Sequence, residues 1–526
     1  MKNFTRRNFV KVLGGTWGTL TLATLAGCGG NGQTSQDTSA TSNGPVSGGK
    51  ATISYKDPAD TMFLPASSTT LDRFYASPAL ESLGRLDTEG NTTPWLAESF
   101  TIDKDALTLT VGVREGINFS DDTPCDAEAI AWNLQQYVDN GHASELDNPT
   151  SIEATDAKTV VVHYDTWSND WDNVIGQCYI SSKDAYEKNG KEWAATNPVG
   201  TGPFVINGFT AGTSISYKRN DNYRIEGQPY LDEIEFAIIT DVNTQIASLQ
   251  NGEVNALITQ DLTALQTLEQ QGFKDQGSGS AEQTDIMYFM FNSKDTSKPC
   301  GDIRVREAIM HSIDWENVAK SLTGGLGYAL NQFATEDSWA YNPDVKFYEF
   351  DPEKGKELLA EAGYPDGFEL KIYATSAYEE IATTLQSCVS QIGIEGKIEI
   401  LDSSVMASMQ KEDSIDGLVA GRGSGKMDFL NNYIRLYSRN GIKNHGILLC
   451  PDDYEQALAN AKAAETIDEK KKWEREASKM LVETYIMLSP LAAISKGYFM
   501  TEGFNDTNLG QVTFQQWTPE AAYMAQ

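Results

Sequence analysis

The sequence predicts an α/β protein with several domains, and three observations support this class. Its 526 residues correspond to three or four domains at roughly 150 residues per domain. Hydrophobic residues make up 40% of the chain and charged residues 22%, a composition that allows large cores and excludes disordered and collagen-like proteins. Stretches with strand periodicity alternate with stretches of helical periodicity, which is the order found in α/β folds.

The first 27 residues predict an export signal. Lys2, Arg6, Arg7 and Lys11 precede an uncharged run that continues to Gly27. A basic stretch followed by a short apolar run is typical of signal peptides. A membrane-spanning anchor would need ~20 strongly apolar residues, whereas this run is rich in glycine and threonine.

Two motifs within this segment indicate the route and the anchor. The run from Thr5 to Lys11, which contains Arg6 and Arg7, resembles the twin-arginine export motif. The run from Leu25 to Cys28 resembles a lipobox, in which the cysteine becomes the lipidated N-terminus, carrying acyl chains such as palmitate. We therefore expect residues 1–27 to be a lipoprotein signal peptide; the alternative for Cys28 is a buried free thiol.

Residues 28–50 predict a flexible tether between the lipid and the folded body. The segment is rich in Gly, Ser, Thr and Asn and has almost no apolar side chains, so it cannot form a core. A random coil of this length reaches ~25 Å. The expected location is outside the cytoplasm, anchored to a cell membrane.

Strands and helices alternate through the N-terminal half of the body. Strands are predicted where β-branched and aromatic residues cluster, at Thr159–Tyr164, Ser214–Tyr217 and Glu233–Ile239. Helices are predicted where apolar residues recur every three or four positions, at Ala127–Tyr137 and Val242–Asn251.

The C-terminal half contains a predicted βαβ unit. A helix over Pro352–Ala362, capped by Asp351 and closed by Gly363, precedes it. The unit consists of the strand Glu369–Tyr373, the helix Glu380–Gln391 and the strand Lys397–Leu401. Because a helical crossover joins parallel strands, we expect a parallel sheet here. After it we predict the helices Asp452–Ala464 and Thr466–Glu483 and the strand Ile486–Leu488.

Charge and ligand-type residues exclude several site classes. The 74 acidic residues exceed the 41 basic ones, giving a formal charge of −33, so we expect no nucleic-acid partner. Five cysteines follow Cys28 without a Cys-x-x-Cys pair, and the four histidines show no metal-ligand spacing. We expect no metal site and no cofactor; one disulfide is compatible with export, but the sequence does not pair the cysteines.

The motifs of the body resemble a known family. The matching segments, in chain order, are Pro94–Ser99, Arg114–Asp121, Thr123–Glu128, Gly200–Phe204, Asn220–Tyr223, Tyr230–Ile234, Gln250–Ala256, Ile303–Ile309 and Asp351–Gly363. They resemble the extracellular solute-binding proteins of family 5, the oligopeptide, dipeptide and nickel receptors of ABC importers. The resemblance covers roughly residues 50–500 in collinear order.

The resemblance implies a two-lobed clamshell with mixed sheets and an extra subdomain on the first lobe. It places lobe I at 51–88, 196–285 and 496–526, the subdomain at 89–195 and lobe II at 286–495. It also implies a small polar ligand held in the inter-lobe cleft, ABC permease subunits as partners, and no enzymatic activity. Hinge closure on a captured ligand is the physical basis of such receptors.

The expected ligand is a peptide or peptide-like molecule, but one family feature is missing. Peptide-binding members carry a Gly-Trp-x-x-Asp region whose aspartate pairs with the peptide amino group, and here Arg422 and Gly425 occupy the corresponding positions. Asp428 would serve only in a shifted register. We expect Arg422 and Lys426 to meet a carboxylate, another anion or a metal chelate, because a forked guanidinium suits carboxylates; the alternative is solvated loop charges.

Four further side chains are candidates for the cleft. Tyr55, Phe63 and Phe74 belong to the opening segment of the first lobe, and their alternative role is core packing. His445 lies in a loop of the second lobe, and its alternative is an uncommitted surface imidazole.

Other functions remain open from the sequence. A receptor for nickel or another chelated metal is the first alternative, because the metal can be held through its organic partner. An exported enzyme or a sensory lipoprotein is the second. The chain contains no Gly-x-Ser-x-Gly elbow, His-Glu-x-x-His helix or Gly-x-Gly-x-x-Gly strand–helix turn, which argues against the enzyme.

Overall fold

The computed structural model describes residues 45–526 apart from 68, 88, 89, 278, 280, 412, 413, 442, 445, 507, 514–516 and 526. The predicted signal peptide, with Arg6 and Arg7, and Cys28 lie outside the described residues, as does His445. The described part forms one compact unit that starts at Pro45.

The helices and strands alternate through the whole body. The strands are β1 (Lys50–Tyr55), β2 (Glu81–Ser82), β3 (Gly84–Leu86), β4 (Thr92–Pro94), β5 (Ala97–Asp103), β6 (Thr108–Val113), β7 (Ser151–Asp156), β8 (Thr159–His163), β9 (Tyr179–Ile180), β10 (Phe204–Thr210), β11 (Ser214–Arg219), β12 (Glu233–Ile238), β13 (Ala256–Thr259), β14 (Thr284–Phe291), β15 (Tyr328–Ala329), β16 (Glu369–Ala374), β17 (Glu395–Ile400), β18 (Leu418–Ser424), β19 (Leu488–Ser495), β20 (Gly497–Met500), β21 (Phe504–Asn505) and β22 (Tyr523–Met524). The α-helices are α1 (Thr70–Ala76), α2 (Ala127–Tyr137), α3 (Trp171–Gly176), α4 (Lys183–Asn189), α5 (Lys191–Ala194), α6 (Val242–Gln250), α7 (Leu262–Gln270), α8 (Ile303–His311), α9 (Trp315–Thr323), α10 (Pro352–Glu361), α11 (Glu379–Ser390), α12 (Ser403–Lys411), α13 (Leu430–Asn432), α14 (Asp452–Ala463) and α15 (Ile467–Lys479).

Two six-stranded mixed sheets organise the body. The first, in the order β10-β11-β12-β1-β13-β20, has β1 parallel to both β12 and β13, and we call the part built on it the first lobe. The second, in the order β15-β19-β14-β18-β16-β17, combines parallel and antiparallel pairs, and the part built on it is the second lobe. The chain passes directly from β19 to β20, so one crossing between the sheets is very short.

A four-stranded antiparallel sheet, in the order β5-β6-β8-β7, forms a separate layer. Helix α2 packs against it, and its side chains share one buried cluster that includes Leu109, Val111, Val160 and Ile130. We call this part the side module. The predicted boundaries of the lobes and the subdomain remain a proposal.

The central strand of the second lobe shows why its sheet is covered on both faces. All eight residues of β14 are buried. Successive side chains of a strand point to opposite faces, and Met287, Phe289 and Phe291 join one cluster while Tyr288 and Met290 join the other. Helices therefore pack on both sides, as is usual for strands that are apolar at every position.

Most predicted elements are present with small shifts. The helix Ala127–Tyr137 has its predicted ends, and Asp126 caps it by accepting from the Ala129 N–H. The predicted βαβ unit is confirmed, because β16 and β17 pair in parallel. The predicted strand at Ile486–Leu488 is wrong in position: the strand starts at Leu488 and continues to Ser495. Tyr485 follows a π-helical turn at Met480–Thr484, which extends the preceding helical segment.

Two further findings concern membrane and redox chemistry. Within the described ranges, no helix has the length and apolar character needed to cross a bilayer. The five cysteines after Cys28 are all buried and all free thiols.

Candidate ligand-binding site

A cavity of about 510 Å³ lies between the lobes and the side module. Helix α1 of the first lobe contributes Arg73, the side module contributes Glu145 and Asp170, and the second lobe contributes Arg422 and Lys443. The volume falls within the range of small-molecule sites, about 300–1,000 Å³. All three parts of the body contribute to this cavity.

Arg422 lines the cavity from a strand rather than from the predicted loop. It lies on β18, opposite Met287 of β14. Its Nη1 donates to Asp285 Oδ2 at 3.1 Å, and its Nη2 donates to Glu380. Its Nε is buried without a partner among the described residues. Burial raises the pKa of Asp285, although the Arg422 charge opposes that rise. Two acidic side chains therefore hold the guanidinium in the cavity wall.

Lys426 and Asp428 also line the cavity. The Asp428 carboxylate accepts from Lys470 Nζ at 2.5 Å and from the Leu430 N–H at 3.0 Å. Gly425 is packed so closely that a Cβ there would lie 2.3 Å from the Ala281 carbonyl oxygen. An aspartate at position 425 would therefore not fit this backbone.

Lys470 lies at the centre of a buried charge cluster between the side module and the second lobe. Its Nζ is 3.2 Å from Asp170 Oδ1 and 2.5 Å from Asp428 Oδ2. Burial alone would lower the pKa of Lys470, but the two carboxylates raise it above its usual range. Lys470 therefore stays positively charged.

Two acidic groups of this cluster are pushed toward their neutral forms. Burial raises the pKa of Asp170 to about 7, and the neighbouring Asp428 charge adds to the rise while Lys470 opposes it. Glu474, one helical turn after Lys470, is fully buried and lies close to Asp428 and to the backbone of Phe429. Burial and the Asp428 charge raise the pKa of Glu474 well above its usual value, although the Lys470 charge opposes the rise, and this favours the protonated side chain.

The same face of the side module satisfies the last turn of α14. Asn169 Nδ2 donates to the carbonyls of Ala461 and Ala464, each at 3.0 Å, and Trp167 Nε1 donates to that of Ala463 at 3.2 Å. The last carbonyls of a helix lack partners within the helix, and here another part of the protein provides donors. We call the contacts of Trp167, Asn169 and Asp170 with α14, Asp428 and Lys470 the seam.

A second cavity of about 470 Å³ lies on the other side of the seam. Asp170 and Asp428 border both cavities, and Lys470 borders the second. Trp339 and Trp167 supply much of the apolar wall of the second cavity. The charge cluster of the seam thus separates two spaces between the side module and the second lobe.

The three predicted aromatic residues do not line the main cavity. Phe74 is fully buried in the first lobe, 5.1 Å from Phe236 and 5.0 Å from Trp517 between ring centroids. Phe63 is 2% exposed and stacks on Tyr186 at 4.7 Å. Tyr55 ends β1 and is buried; burial raises its pKa, and the charges of Asp57 and Asp285 add to the rise. These positions indicate packing roles.

Three cavity residues were not identified from the sequence. Arg73, Arg435 and Lys443 all line the main cavity, and Arg435 Nη1 lies 3.8 Å from Glu145 of the side module. No local pattern distinguishes these cations from the other basic residues of the chain. In the parts of the chain that the structure describes, no three His, Cys, Asp or Glu side chains group as metal ligands would.

Comparisons with known proteins identify the family. Residues 91–444 match the family model "Bacterial extracellular solute-binding proteins, family 5 Middle". The glutathione-binding protein GsiB of Escherichia coli O1:K1 / APEC is 30% identical over 349 residues, which are 64% of this chain and 67% of that protein.

Solved structures show the fold. The ABC transporter substrate-binding protein CtaP of Listeria monocytogenes superposes with a TM-score of 0.79 at 19% identity, over 91% of this chain and 100% of that one. The periplasmic binding protein DppA of Helicobacter pylori, in complex with the peptide STSA, gives 0.76 at 21% identity, over 91% and 99%. Both confirm the predicted two-lobed α/β fold. The chain therefore belongs to the bacterial extracellular solute-binding proteins of family 5, the substrate-binding components of ABC importers, a family of binding proteins rather than enzymes.

Proposed function

We propose that this protein is a lipid-anchored receptor that captures a short peptide or peptide-like molecule and delivers it to an ABC permease. The observation that carries the proposal is the main cavity, which is bounded by both lobes and lined by charged and amide side chains. A ligand that contacts both lobes stabilises the closed form over the open form, and the importer can distinguish these two forms. The glutathione-binding and peptide-bound relatives support this ligand class.

The chemistry of the cavity favours binding without turnover. Cys178 lines the cavity and is the residue to consider as a nucleophile there. Burial raises its pKa to about 12, so it stays a thiol, and a thiol is a poor nucleophile. Arg422, Asp170 and Asp428 are held by ion pairs within the protein, which suits a preformed binding surface.

The proposed recognition does not depend on a free ligand amino group. Gly425 stands where peptide-binding relatives are expected to have an aspartate, and the Asp428 carboxylate is already bound by Lys470. We therefore expect acetylation of a ligand amino group to have little effect on affinity. A strong loss on acetylation would instead favour Asp428 or another carboxylate as an amine partner.

The ligand is best identified from protein purified from its own source. Native mass spectrometry under gentle conditions should show a bound small molecule, and its release and fragmentation should identify a peptide or a peptide-like compound. Calorimetry with that compound should show reversible binding without product formation. A bound metal chelate, a chromophore or conversion of the compound would contradict the proposal.

The anchor is tested separately, because it rests on residues 1–28. Cys28→Ala should move the protein from the membrane fraction to the soluble fraction without changing ligand binding. Replacing both Arg6 and Arg7 by lysine keeps the charge but removes the guanidinium pair, and export should fall sharply. Continued membrane association of the Cys28 variant would contradict lipidation, and unchanged export of the double variant would contradict the twin-arginine route.

A further inference from the structure

The acidic side chains of the main cavity all have cationic partners. Asp170 and Asp428 both face Lys470. Glu145 lies 3.3 Å from His142 and 3.8 Å from Arg435. The carboxylates that line the cavity therefore do not require a cationic ligand group.

Two of the cations differ, because they have no acidic partner among the described residues. Arg73 of α1 makes no side-chain hydrogen bond or ion pair there, and its charge acts on Tyr137 and Cys178. Burial raises the pKa of both of these groups, so both are neutral. Lys443 of the second lobe contacts the Tyr288 hydroxyl at 3.3 Å, a neutral acceptor. Both cations are partly buried.

An unpaired cation in a partly buried site loses hydration without gaining an ion pair, and this costs free energy. Arg73 and Lys443 also come from opposite lobes, and both positive charges line the same cavity. An anionic group placed at each cation removes both costs. The unmet requirement of the site is therefore negative charge, in a protein whose formal net charge is −33.

We propose that the cavity binds a ligand with two carboxylate-type groups, one bound by Arg73 and the other by Lys443. The inference rests on the proposed function and specifies its ligand class. A planar carboxylate can accept two parallel bonds from the Arg73 fork, whereas Lys443 acts as a point charge that tolerates several orientations. A dianion that contacts Arg73 and Lys443 would bridge the two lobes, and this would favour the closed form of the receptor.

The test uses a random tripeptide pool, supplied both as free acids and as C-terminal amides, with bound peptides identified by native mass spectrometry. The wild-type protein should enrich two-carboxylate peptides at least ten-fold over peptides without a carboxylate. Arg73→Gln and Lys443→Gln should each reduce that enrichment at least ten-fold. Lys320→Gln, which removes one positive charge from the exposed face of α9, is the matched control and should keep the wild-type preference.

The outcomes separate the inference from the proposed function. Retention of peptides without any preference for carboxylates would overturn the inference and leave the peptide receptor standing. An unchanged preference in both cavity variants would also overturn it, since the two cations would then have no role. Equal effects of the cavity variants and the Lys320 control would assign the preference to the long-range field and overturn it. Retention of no peptide at all would contradict the proposed function itself.

Discussion

The seam and the main cavity both lie between the side module and the second lobe, yet they treat charge in opposite ways. In the seam, Lys470 is enclosed by Asp170 and Asp428. In the cavity, Arg73 and Lys443 have no acidic partner among the described residues. Charges that are paired within the protein hold its parts together, whereas charges that are left unpaired are available to a ligand. The paired charges of the seam therefore serve structure, whereas the unpaired cations of the cavity serve ligand selection.

The seam joins the side module to the second lobe through contacts within the protein. Asn169 and Trp167 provide donors for three carbonyls of the α14 end, and Lys470 joins carboxylates from two parts of the protein. These contacts are made between parts of the protein itself, so they help to hold the side module against the second lobe.

The largest test removes the cation of the seam. Lys470→Met leaves Asp170 and Asp428 facing each other without a counter-charge, and breaking a buried pair in this way costs about 3–5 kcal/mol. We expect a larger radius of gyration by small-angle X-ray scattering, as the side module and the second lobe separate. Lys472→Met, two residues along α15 and exposed, is the matched control and should scatter like the wild type. Identical scattering of all three proteins would show that the seam does not hold the lobes together.

The second test uses pH. Because Glu474 has a raised pKa in the folded protein, it keeps a proton that the unfolded chain releases above the ordinary pKa of glutamate. The folded state then binds more protons, so stability should fall as the pH rises from about 5 toward the raised pKa, by up to about 1.4 kcal/mol per pH unit. Glu474→Gln removes this proton and should flatten the dependence.

The measurement is urea unfolding of both proteins between pH 5 and pH 8. Asp170, whose pKa is raised to about 7, and Asp506, whose pKa burial raises to about 6, give contributions of the same sign, so some slope should remain in the variant. The free energy of unfolding should depend on pH less steeply in Glu474→Gln than in the wild type, and the difference should correspond to one bound proton. Parallel curves for the two proteins would mean that Glu474 is ionised in the fold.

The smallest test concerns the donors of the seam. Asn169→Ala leaves the carbonyls of Ala461 and Ala464 without its amide, which should weaken the seam by about 1 kcal/mol. Hydrogen exchange should become faster in the peptide that covers the end of α14. Asn189→Ala removes a similar bond, from Nδ2 to the Ala185 carbonyl, within α4, and should not affect that peptide. Faster exchange there in the control as well would point to a general loss of stability.

Local signals predicted the elements well where they were strong. Asp351 and Pro352 start α10 as expected, since a side-chain cap and a fixed φ act within one turn. The C-terminal end of α10 differs from the prediction by one residue. The helix ends at Glu361, Ala362 is the C-cap, and Gly363, at φ 95°, follows it. The misplaced strand at Ile486–Leu488 has a tertiary cause, because β19 begins where it pairs with Met290 of β14.

The candidate site was predicted only in part. Arg422, Lys426 and Asp428 do line the cavity, and they belong to the segment where the sequence departs from the family motif. Phe74 packs in the core of the first lobe, the alternative role named for it, because the local sequence of an aromatic residue beside a cleft does not differ from that of one in a core. Which of these residues touch the ligand remains a prediction.

The sequence by itself determined the secondary-structure pattern, the acidic balance and the family, because each depends on neighbouring residues or on collinear motifs. Only the tertiary structure decided which charges have partners. Lys470 and Lys443 are both lysines in polar segments, but folding places one between two carboxylates and the other against a phenol. The reason is physical: an ion pair depends on distance in space, and folding sets that distance between residues far apart in the chain.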